Sequence, residues 1–439
     1  MSSAPLAPLS ADRHGLLSLE WYRTLPEGRT RHAFWASYLG YALDAFDFQA
    51  LSFALAGIIA TFSLSNSRAG LVATVTLVTS AVGGAVGGIL ADRLGRVRTL
   101  MITVAVFSVF SVFSGLAQSY EQLLIFRGIQ GFGFGGEWGA GAALIAEVAR
   151  PEQRGRALGI VQSSWAVGWG AIALLYTVIF SHISATTAWR VMFVLGALPA
   201  LFILFLRRGV DEPAVFAEHR ARRASSPEET ARGRGLRPLF DLFQPELLRT
   251  TLLACLLSIG AQGGYYSLFT WLPTYLKESH HLAILSVGSY LAVVIVGALC
   301  GYLVAAFAHD GLGHRLTFMI FALASALTVV IYTQVSTGGG SPLLLGLGFP
   351  LGFFPSGMFS GFGSYLAELY PTRARGAGLG FTYNTGRGLG ALFPFVIGVV
   401  SVPLGLGVAI TLGASAYGLS LLALLGLPET SGMALTDTG

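Results

Sequence analysis

Twelve long apolar stretches run through this chain, and they constrain its fold more than any other feature. A helix that crosses the hydrocarbon of a bilayer needs about 20 mostly apolar residues. Stretches of that length lie at about 33–61, 68–90, 99–117, 122–147, 156–180, 187–206, 250–276, 284–307, 316–334, 341–369, 377–402 and 404–427. They lack the alternation of apolar and polar residues that the wall of a β-barrel needs. We therefore predict an all-α integral membrane protein with twelve transmembrane helices.

The composition excludes a soluble globule of this size. Hydrophobic residues make up 54% of the 439 residues and charged residues only 11%, whereas an ordinary soluble domain has roughly 25% charged residues. The first 32 residues are polar and the first apolar stretch is too long for a signal peptide, so we expect no cleavable leader. Cys255 and Cys300 lie inside apolar stretches, a placement that favours neither a disulfide framework nor a thiolate metal site.

The Lys and Arg residues lie almost entirely on one side of the predicted membrane. Of the 27 such residues, Arg68 and Lys277 fall on the opposite side, and Arg127, Arg190 and Arg387 lie inside apolar stretches. Cytoplasmic loops of membrane proteins collect these charges, so we expect both termini and the central loop to be cytoplasmic, in a cell inner membrane. A net charge of +5 then matches an anionic leaflet and predicts no nucleic-acid partner.

These loops divide the chain into five segments. A cytoplasmic tail at 1–32 precedes a six-helix bundle at 33–206. A polar, basic linker at 207–249 leads to a second six-helix bundle at 250–427, and a short cytoplasmic tail ends the chain at 428–439.

Charged corners at matching places mark the two bundles as repeats of each other. Each bundle carries an acidic residue followed by Arg in the loop after its second helix, and a Glu with an Arg seven places later around the loop after its fourth helix. Transporter folds often contain such repeated bundles, related by an axis along the membrane normal. The corner residues are Asp92, Arg93, Arg96, Glu147, Arg154, Asp310, Arg315, Glu368 and Arg375.

Several motifs resemble a known family. The stretch from Gly88 to Arg98 resembles the loop signature of the major facilitator superfamily, and Arg127-Gly-Ile-Gln130-Gly131 resembles its fourth-helix motif. Three further motifs resemble the sialate and monocarboxylate proton symporters and the neighbouring aromatic-acid proton symporters: Asp44-Ala-Phe-Asp47-Phe48, Gly135-Gly136-Glu137-Trp138 and Tyr383-Asn384-Thr-Gly386-Arg387. The resemblance implies secondary transport of an organic acid with a proton. It also implies that the charged corners form a cytoplasmic gate, which holds the inner helix ends together in one state.

Acidic residues inside the predicted helices are candidates for binding the coupled proton. Asp44 and Asp47 lie three residues apart on one face of the first helix, near the middle of the bilayer. Glu137 lies on the fourth helix in a stripe with Arg127. A carboxyl group that alternates between burial and contact with an Arg can load and release a proton near neutral pH. The alternative is a permanent salt bridge that fixes two helices.

Arg387 is the candidate for binding a substrate anion. An Arg side chain meets a carboxylate with two parallel charged hydrogen bonds, and the sequence places no acidic residue in the middle of a helix of the same bundle. Asn384 and Tyr383 neighbour it on the same helix, where the alternative for both is packing. Four residues at equivalent places in the two repeats are expected to line the cavity, although aromatic residues at such spacing are more often helix contacts: Gln262, Tyr265, Gln162 and Trp165.

The glycine-rich motif from Gly131 to Gly136 matches G-x-G-x-x-G, but it does not predict a dinucleotide site. That fingerprint needs a preceding strand and a βαβ unit, whereas this one lies inside an apolar helix. Gly131, Gly135 and Gly139 recur every four residues, which is typical of close helix packing in membranes. We expect no catalytic site, no metal site and no cofactor besides the coupling proton.

The sequence therefore favours a monomeric symporter that moves a small organic acid with a proton by alternating access. A uniporter or antiporter of another small solute, such as a sugar or a drug, is an open alternative, although the Gly-Pro pair expected in the fifth helix of many antiporters is missing. A receptor or sensor that binds without transporting is an alternative of a different class. The sequence does not identify the acid.

Overall fold

The computed structural model describes residues 29–148, 154–207, 237–335, 341–371 and 374–431. Within these ranges the chain is helical nearly throughout. The long helices are α1 (Arg29–Phe62), α2 (Asn66–Leu94), α3 (Arg96–Leu116), α4 (Tyr120–Val148), α5 (Arg154–His182), α6 (Ala185–Arg207), α7 (Pro245–Glu278), α8 (Ile284–Leu312), α9 (His314–Gln334), α10 (Pro342–Glu368), α11 (Arg375–Leu404) and α12 (Leu406–Gly426). A short helix, Arg237–Asp241, precedes α7. Ten of the twelve are, over the described residues, long and apolar enough to cross a membrane, so the predicted all-α membrane bundle is confirmed.

Prolines interrupt two helices of the second half. In α7 the first segment ends at Phe269, and Pro273 lies in the first turn of the second segment, where a missing backbone N–H removes no helical hydrogen bond. The helix α10 contains Pro350 and Pro355 and then passes through a 3-10 turn at Met358–Gly361. That turn brings a backbone carbonyl group within reach of a side chain from the first half, as described below.

Each half packs its six helices in the same pattern. In the first half α2 packs on α4, α3 on α4 and α6, and α1 on α5 and α6. In the second half α8 packs on α10, α9 on α10 and α12, and α7 on α11 and α12. Adding six to the helix numbers of each pair in the first half gives the corresponding pair in the second half. The halves meet where α2 packs on α11 and α5 packs on α8, which are also equivalent pairs, so the fold consists of two pseudo-symmetric six-helix bundles.

Glycines allow the backbones of paired helices to touch. A Cβ atom on Gly135 of α4 would lie 1.7 Å from the carbonyl oxygen of Ser80 on α2. The equivalent pair in the second half behaves alike, because a Cβ atom on Gly352 of α10 would lie 1.8 Å from the carbonyl oxygen of Val294 on α8. No side chain fits at either contact. The glycine-rich motif of α4 is therefore a helix-packing surface, as the sequence indicated.

The two bundles are in contact on the side of the molecule opposite the chain ends. There the side-chain amide of Asn66, the first residue of α2, donates a hydrogen bond to the hydroxyl of Ser401 on α11 (3.0 Å). Closer to the centre, the Thr74 hydroxyl donates to the carbonyl oxygen of Ala391 (2.6 Å). The candidate functional residues lie below these contacts, towards the middle of the helices.

Candidate substrate and proton site

Asp47 of α1 lies at the centre of a buried polar network inside the first bundle. Its side chain is 2% exposed, and its carboxylate accepts hydrogen bonds from Ser111 of α3 (2.6 Å) and from the Gln130 amide of α4 (2.5 Å). The Arg127 guanidinium lies 3.5 Å from the same carboxylate and donates to Gln130 (2.8 Å). Opposite charges thus meet with additional hydrogen bonds, which is the condition under which a buried ion pair is tolerated.

Arg127 is also held by the ring of Phe193 on α6, which lies 5.1 Å from the guanidinium carbon. Its Nε atom is buried and has no hydrogen-bond partner among the described residues. The network therefore joins four helices of one bundle and fixes a charge pair at their centre. Asp44, one turn away on α1, is also buried at 1% exposed, and the side chain of Glu137 lies outside the described part of the chain.

Arg387 of α11 lies at the boundary between the two bundles and is 3% exposed. Its guanidinium carbon lies 5.2 Å from the centre of the Phe134 ring, which belongs to α4 of the first bundle, and 5.3 Å from the ring of Tyr383. The guanidinium donates hydrogen bonds to the hydroxyl oxygens of Tyr266 and Tyr383. The side chain therefore faces the other bundle and not the surrounding lipid.

Aromatic rings from both bundles form a continuous wall beside this guanidinium. Phe48 of α1 stacks on Phe134 with ring centres 5.8 Å apart and an interplanar angle of 19°. The Phe48 ring also contacts Trp165 of α5 (5.5 Å) and Tyr266 of α7 (5.8 Å). Phe48 is partly exposed whereas the other three are buried. A cation beside flat apolar faces is suited to a ligand that joins an anionic group to a planar body.

Most of the polar residues predicted to line the cavity bind other parts of the protein. The Gln262 amide donates to the backbone carbonyl of Tyr383 (2.9 Å) and accepts from the Tyr266 hydroxyl (3.0 Å). Trp165 donates its indole N–H to the Tyr265 hydroxyl across the bundle boundary (3.0 Å). These contacts position the groups around Arg387.

Gln162 and Asn384 differ in how fully their amides are used. Gln162 of α5 donates across the boundary to the carbonyl oxygen of Phe359 (3.2 Å), in the 3-10 turn of α10. Asn384 donates to the carbonyl of Gly380 (2.9 Å), while its own amide oxygen is buried without a hydrogen-bond partner among the described residues. That oxygen packs against Gly84 of α2, where an added Cβ atom would lie 2.5 Å from it.

The predicted gate is described in part. The side chains of Asp92, Arg93, Arg96, Glu147 and Arg154 lie outside the described residues. Glu368, at the end of α10, accepts a hydrogen bond from the Thr430 hydroxyl (2.7 Å), and its carboxylate lies 3.3 Å from His314. Arg375 donates to the carbonyl oxygen of Ala367 (3.1 Å). Arg315 donates to the carbonyl of Leu425 (3.4 Å), and Asp310 is exposed.

Sequence reasoning missed several residues around both arginines. Ser111 and Tyr266 are neutral and stand in apolar helices, where such residues are common, so no sequence signal distinguishes them. Phe359 was hidden because its role depends on the broken backbone of α10. The paired prolines of α10 are a signal that could have indicated the break.

No group of three His, Cys, Asp or Glu residues that could hold a metal ion occurs in the described part of the chain.

Comparison with known proteins places the chain in one family. Residues 37–394 match the Major Facilitator Superfamily. The chain is 38% identical over 423 residues to a probable 4-methylmuconolactone transporter of Cupriavidus pinatubonensis, covering 95% of each chain. It is 30% identical over 389 residues to the cis,cis-muconate transport protein of Acinetobacter baylyi, covering 88% of this chain and 91% of the relative.

Two further comparisons agree with this assignment. The chain is 30% identical over 384 residues to the 3-(3-hydroxy-phenyl)propionate transporter of Escherichia coli, covering 87% of this chain and 89% of the relative. The fold is similar to that of the xylose transporter of E. coli in its inward-open conformation, with a TM-score of 0.72, 20% sequence identity and coverage of 92% of this chain and 98% of that one. The chain is therefore a multi-pass membrane transporter, not an enzyme, and it belongs to the major facilitator superfamily.

Proposed function

We propose that this transporter moves a small carboxylic acid with a planar, unsaturated or aromatic body across the membrane, together with a proton. The observation that carries the proposal is the buried Arg387 at the bundle boundary, walled by aromatic rings from both halves. The names of three relatives support the acid class, since they specify muconate, a hydroxyphenylpropionate and a muconolactone.

Arg387 is proposed to hold the carboxylate of the substrate. The guanidinium can present two parallel N–H groups to a carboxylate, and a charged hydrogen bond of this kind is strong where water is excluded. The Phe48 and Phe134 rings would then lie against the planar body. Because Phe134 and Arg387 come from different bundles, a substrate that binds both favours the closed arrangement of the halves, as alternating access requires.

Asp47 is proposed to carry the coupled proton, with Asp44 and Glu137 as the other candidates. Protonation of Asp47 would remove its charge attraction to Arg127 and weaken the network that joins four helices of the first bundle. A proton that changes the packing of one bundle can shift the balance between two conformations of similar energy. Symport of one proton with one monoanion would be electroneutral.

Uptake into proteoliposomes tests this proposal. A panel of radiolabelled cis,cis-muconate, benzoate, shikimate, sialate, lactate and xylose would be offered with and without an inward proton gradient. We expect accumulation of muconate or benzoate that depends on the gradient, and no uptake of xylose. Uptake of xylose in place of the acids would contradict the substrate class. Acid uptake that reaches the same level without a gradient would contradict proton coupling.

The variant Asp47→Asn separates binding from coupling. Asn keeps one oxygen that can accept a hydrogen bond from Ser111 or Gln130, but it cannot be charged. We expect exchange of internal for external acid to continue while accumulation driven by the gradient is lost. The matched control is Asp241→Asn, the same substitution at a residue outside the long helices. This variant should accumulate acid normally.

The side of the membrane on which the chain ends lie is proposed from the positive charges in the loops. We place both termini in the cytoplasm of a bacterial cell. A fluorescent protein that folds only in the cytoplasm, fused after Gly439, should be fluorescent. A dark fusion with normal expression would reverse the orientation.

A further inference from the structure

A cluster of titratable side chains joins the ends of three helices to the segment that follows α12, and the proposed transport cycle does not use it. The histidine corner consists of His309 in the last turn of α8, His314 at the start of α9, Glu368 at the end of α10, and Glu429 and Thr430 after α12. Both histidines are buried, at 3% and 5% exposed. They lie on the same side of the molecule as the chain ends.

A chain of close polar contacts runs through this corner. The Nδ1 atoms of His309 and His314 lie 3.2 Å apart. The Nε2 atom of His314 lies 3.3 Å from Oε2 of Glu368, which also accepts a hydrogen bond from the Thr430 hydroxyl (2.7 Å). The Glu368 carboxylate therefore connects the histidines to Thr430, and a movement of His314 would disturb its hydrogen bond with Thr430.

Glu429 fastens the same segment to the start of α9. Its carboxylate accepts hydrogen bonds from the backbone N–H groups of His314 and Arg315 (2.9 Å each) and from those of Thr430 and Ser431 (3.0 Å each). The first two N–H groups belong to the unsatisfied first turn of a helix, where an acidic side chain is stabilising. The segment after α12 is thus held by two carboxylates, one of which depends on His314.

The geometry limits where hydrogens can lie on the two imidazole rings. The contact between the Nδ1 atoms holds one hydrogen, because two would face each other across 3.2 Å. His314 Nε2 carries a second, which faces Oε2 of Glu368 at 3.3 Å. A third hydrogen, which makes the pair cationic, must therefore lie on His309 Nε2.

Among the described residues, that atom has no acceptor for a hydrogen. His309 Nε2 is buried and has no hydrogen-bond partner among the described residues. It is packed against Gly361, where an added Cβ atom would lie 2.1 Å away. A buried N–H without an acceptor is strongly unfavourable, and more so on a charged group.

We propose that the histidine corner is a proton-binding site distinct from Asp47. When the pair is neutral, it holds the segment after α12 against the end of the second bundle. When one proton binds, the hydrogen-bond arrangement of the pair can no longer be satisfied, and the segment, although still held by Glu429, detaches more readily. Acid on the side of the chain ends would then loosen that end of the bundle, whatever substrate the protein carries.

Other charged and titratable groups surround the pair and set its field. Asp310 follows His309 on α8, Arg315 follows His314 on α9, Tyr365 of α10 packs on the His314 ring with centres 5.5 Å apart, and Arg375 begins α11. Tyr365 donates its hydroxyl to the carbonyl oxygen of Pro428 (2.8 Å), a third attachment of the same segment.

Cysteine alkylation of the purified full-length protein tests the proposal without substrate and without a proton gradient, so its result is independent of the transport function. The native Cys255 and Cys300 are replaced by Ala. Leu427→Cys then places a thiol at a position that is 2% exposed, and Ser431→Cys places one at an exposed position as the reference. The ratio of the two maleimide reaction rates cancels the intrinsic effect of pH on thiol reactivity.

We expect this ratio to rise roughly tenfold between about pH 8 and pH 5.5, because a detached, solvated histidine gains charge in that range whereas the buried pair, with an N–H that has no acceptor, resists it. In His309→Phe, which keeps the ring but binds no proton, the ratio should be flat. If that variant does not fold, His314→Gln, which keeps a donor towards Glu368, takes its place. A flat ratio in the parent, or the same rise in either variant, overturns the proposal.

Discussion

Two buried arginines in the described part of this transporter, Arg127 and Arg387, have different surroundings. Arg127 lies inside one bundle, opposite Asp47 and among amide and hydroxyl groups of the same bundle. Arg387 lies between the bundles, beside aromatic rings and tyrosine hydroxyl groups. The first arrangement balances a charge within a rigid unit, whereas the second presents a charge where the two units meet. The comparison teaches that the position of a charge relative to the bundle boundary, more than its burial, indicates its role.

The largest effect is expected from removing one partner of the inner pair. Asp47→Leu or Arg127→Met alone should destabilise the protein by about 3–5 kcal/mol, because a buried charge is left without its opposite. The double variant should recover most of that loss. Thermal and denaturant unfolding in detergent measures all three. If the loss of stability in the double variant equals the sum of the two single losses, Asp47 and Arg127 do not compensate each other's charge. The contrast between the two arginines would then fail.

A second test exchanges each arginine for lysine. Arg387→Lys should weaken binding of the transported acid about 100-fold or more, because an ammonium group cannot reproduce two parallel hydrogen bonds. Arg127→Lys keeps a charge opposite Asp47 and should change the affinity only a few-fold. Quenching of tryptophan fluorescence by the acid gives both dissociation constants. Normal binding by Arg387→Lys would place the anion site elsewhere.

The aromatic wall makes a smaller, selective prediction. Phe48→Leu keeps an apolar side chain but loses ring stacking, which is worth about 0.5–1.5 kcal/mol, or roughly 2- to 10-fold in affinity. Benzoate should lose this much affinity and lactate should not. Phe113→Leu, at a ring that is 42% exposed on the outside of the bundle, is the control. Equal losses for both acids would show that Phe48 only supports the fold.

The smallest effect concerns Glu429. Burial by itself would raise the pKa of this carboxyl group. The hydrogen bonds that it accepts from four backbone N–H groups nevertheless hold its pKa below the ordinary value of 4.5. A carboxyl with a lowered folded pKa contributes stability above its unfolded pKa and loses it as the pH falls through the folded value. Glu429→Gln should therefore cost about 1 kcal/mol or less at neutral pH.

Unfolding of the parent and of Glu429→Gln at a series of pH values checks this. The difference in stability between the two proteins should be constant above about pH 5 and should shrink below the ordinary carboxyl pKa of 4.5. A difference that grows on acidification would have the wrong sign. It would then be the charge repulsion of Glu429, and not its hydrogen bonds, that matters in this corner.

Part of the site was predictable from the sequence because charged residues are rare in apolar stretches. Asp47, Arg127 and Arg387 are conspicuous because charges seldom occur in apolar stretches, and the structure places the first two in one network. Phe48 lies next to Asp47 in sequence, but nothing in the surrounding sequence indicates that its ring contacts both bundles. Tertiary packing alone decides that.

The fold was more predictable than the details of its helices. Hydropathy predicted twelve transmembrane helices, because every helix that crosses the bilayer needs an apolar stretch of similar length. It could not locate the break in α7, since the residues on both sides are equally apolar. Glu429 escaped notice for the opposite reason: it stands in a polar segment after the last helix, where a carboxylate has no distinguishing feature until a helix start is found beside it.

Backbone contact between paired helices has a consequence for how such a protein could acquire a new cargo. At Gly135 and Gly352 a single added methyl group would collide with a neighbouring main chain, so these seams tolerate almost no chemical variety. Novelty must then arise on the surfaces that face the central space, at rings such as Phe48, where a side chain can shrink or grow without separating two main chains. Rigid seams thus confine the evolution of selectivity to a small set of interior positions.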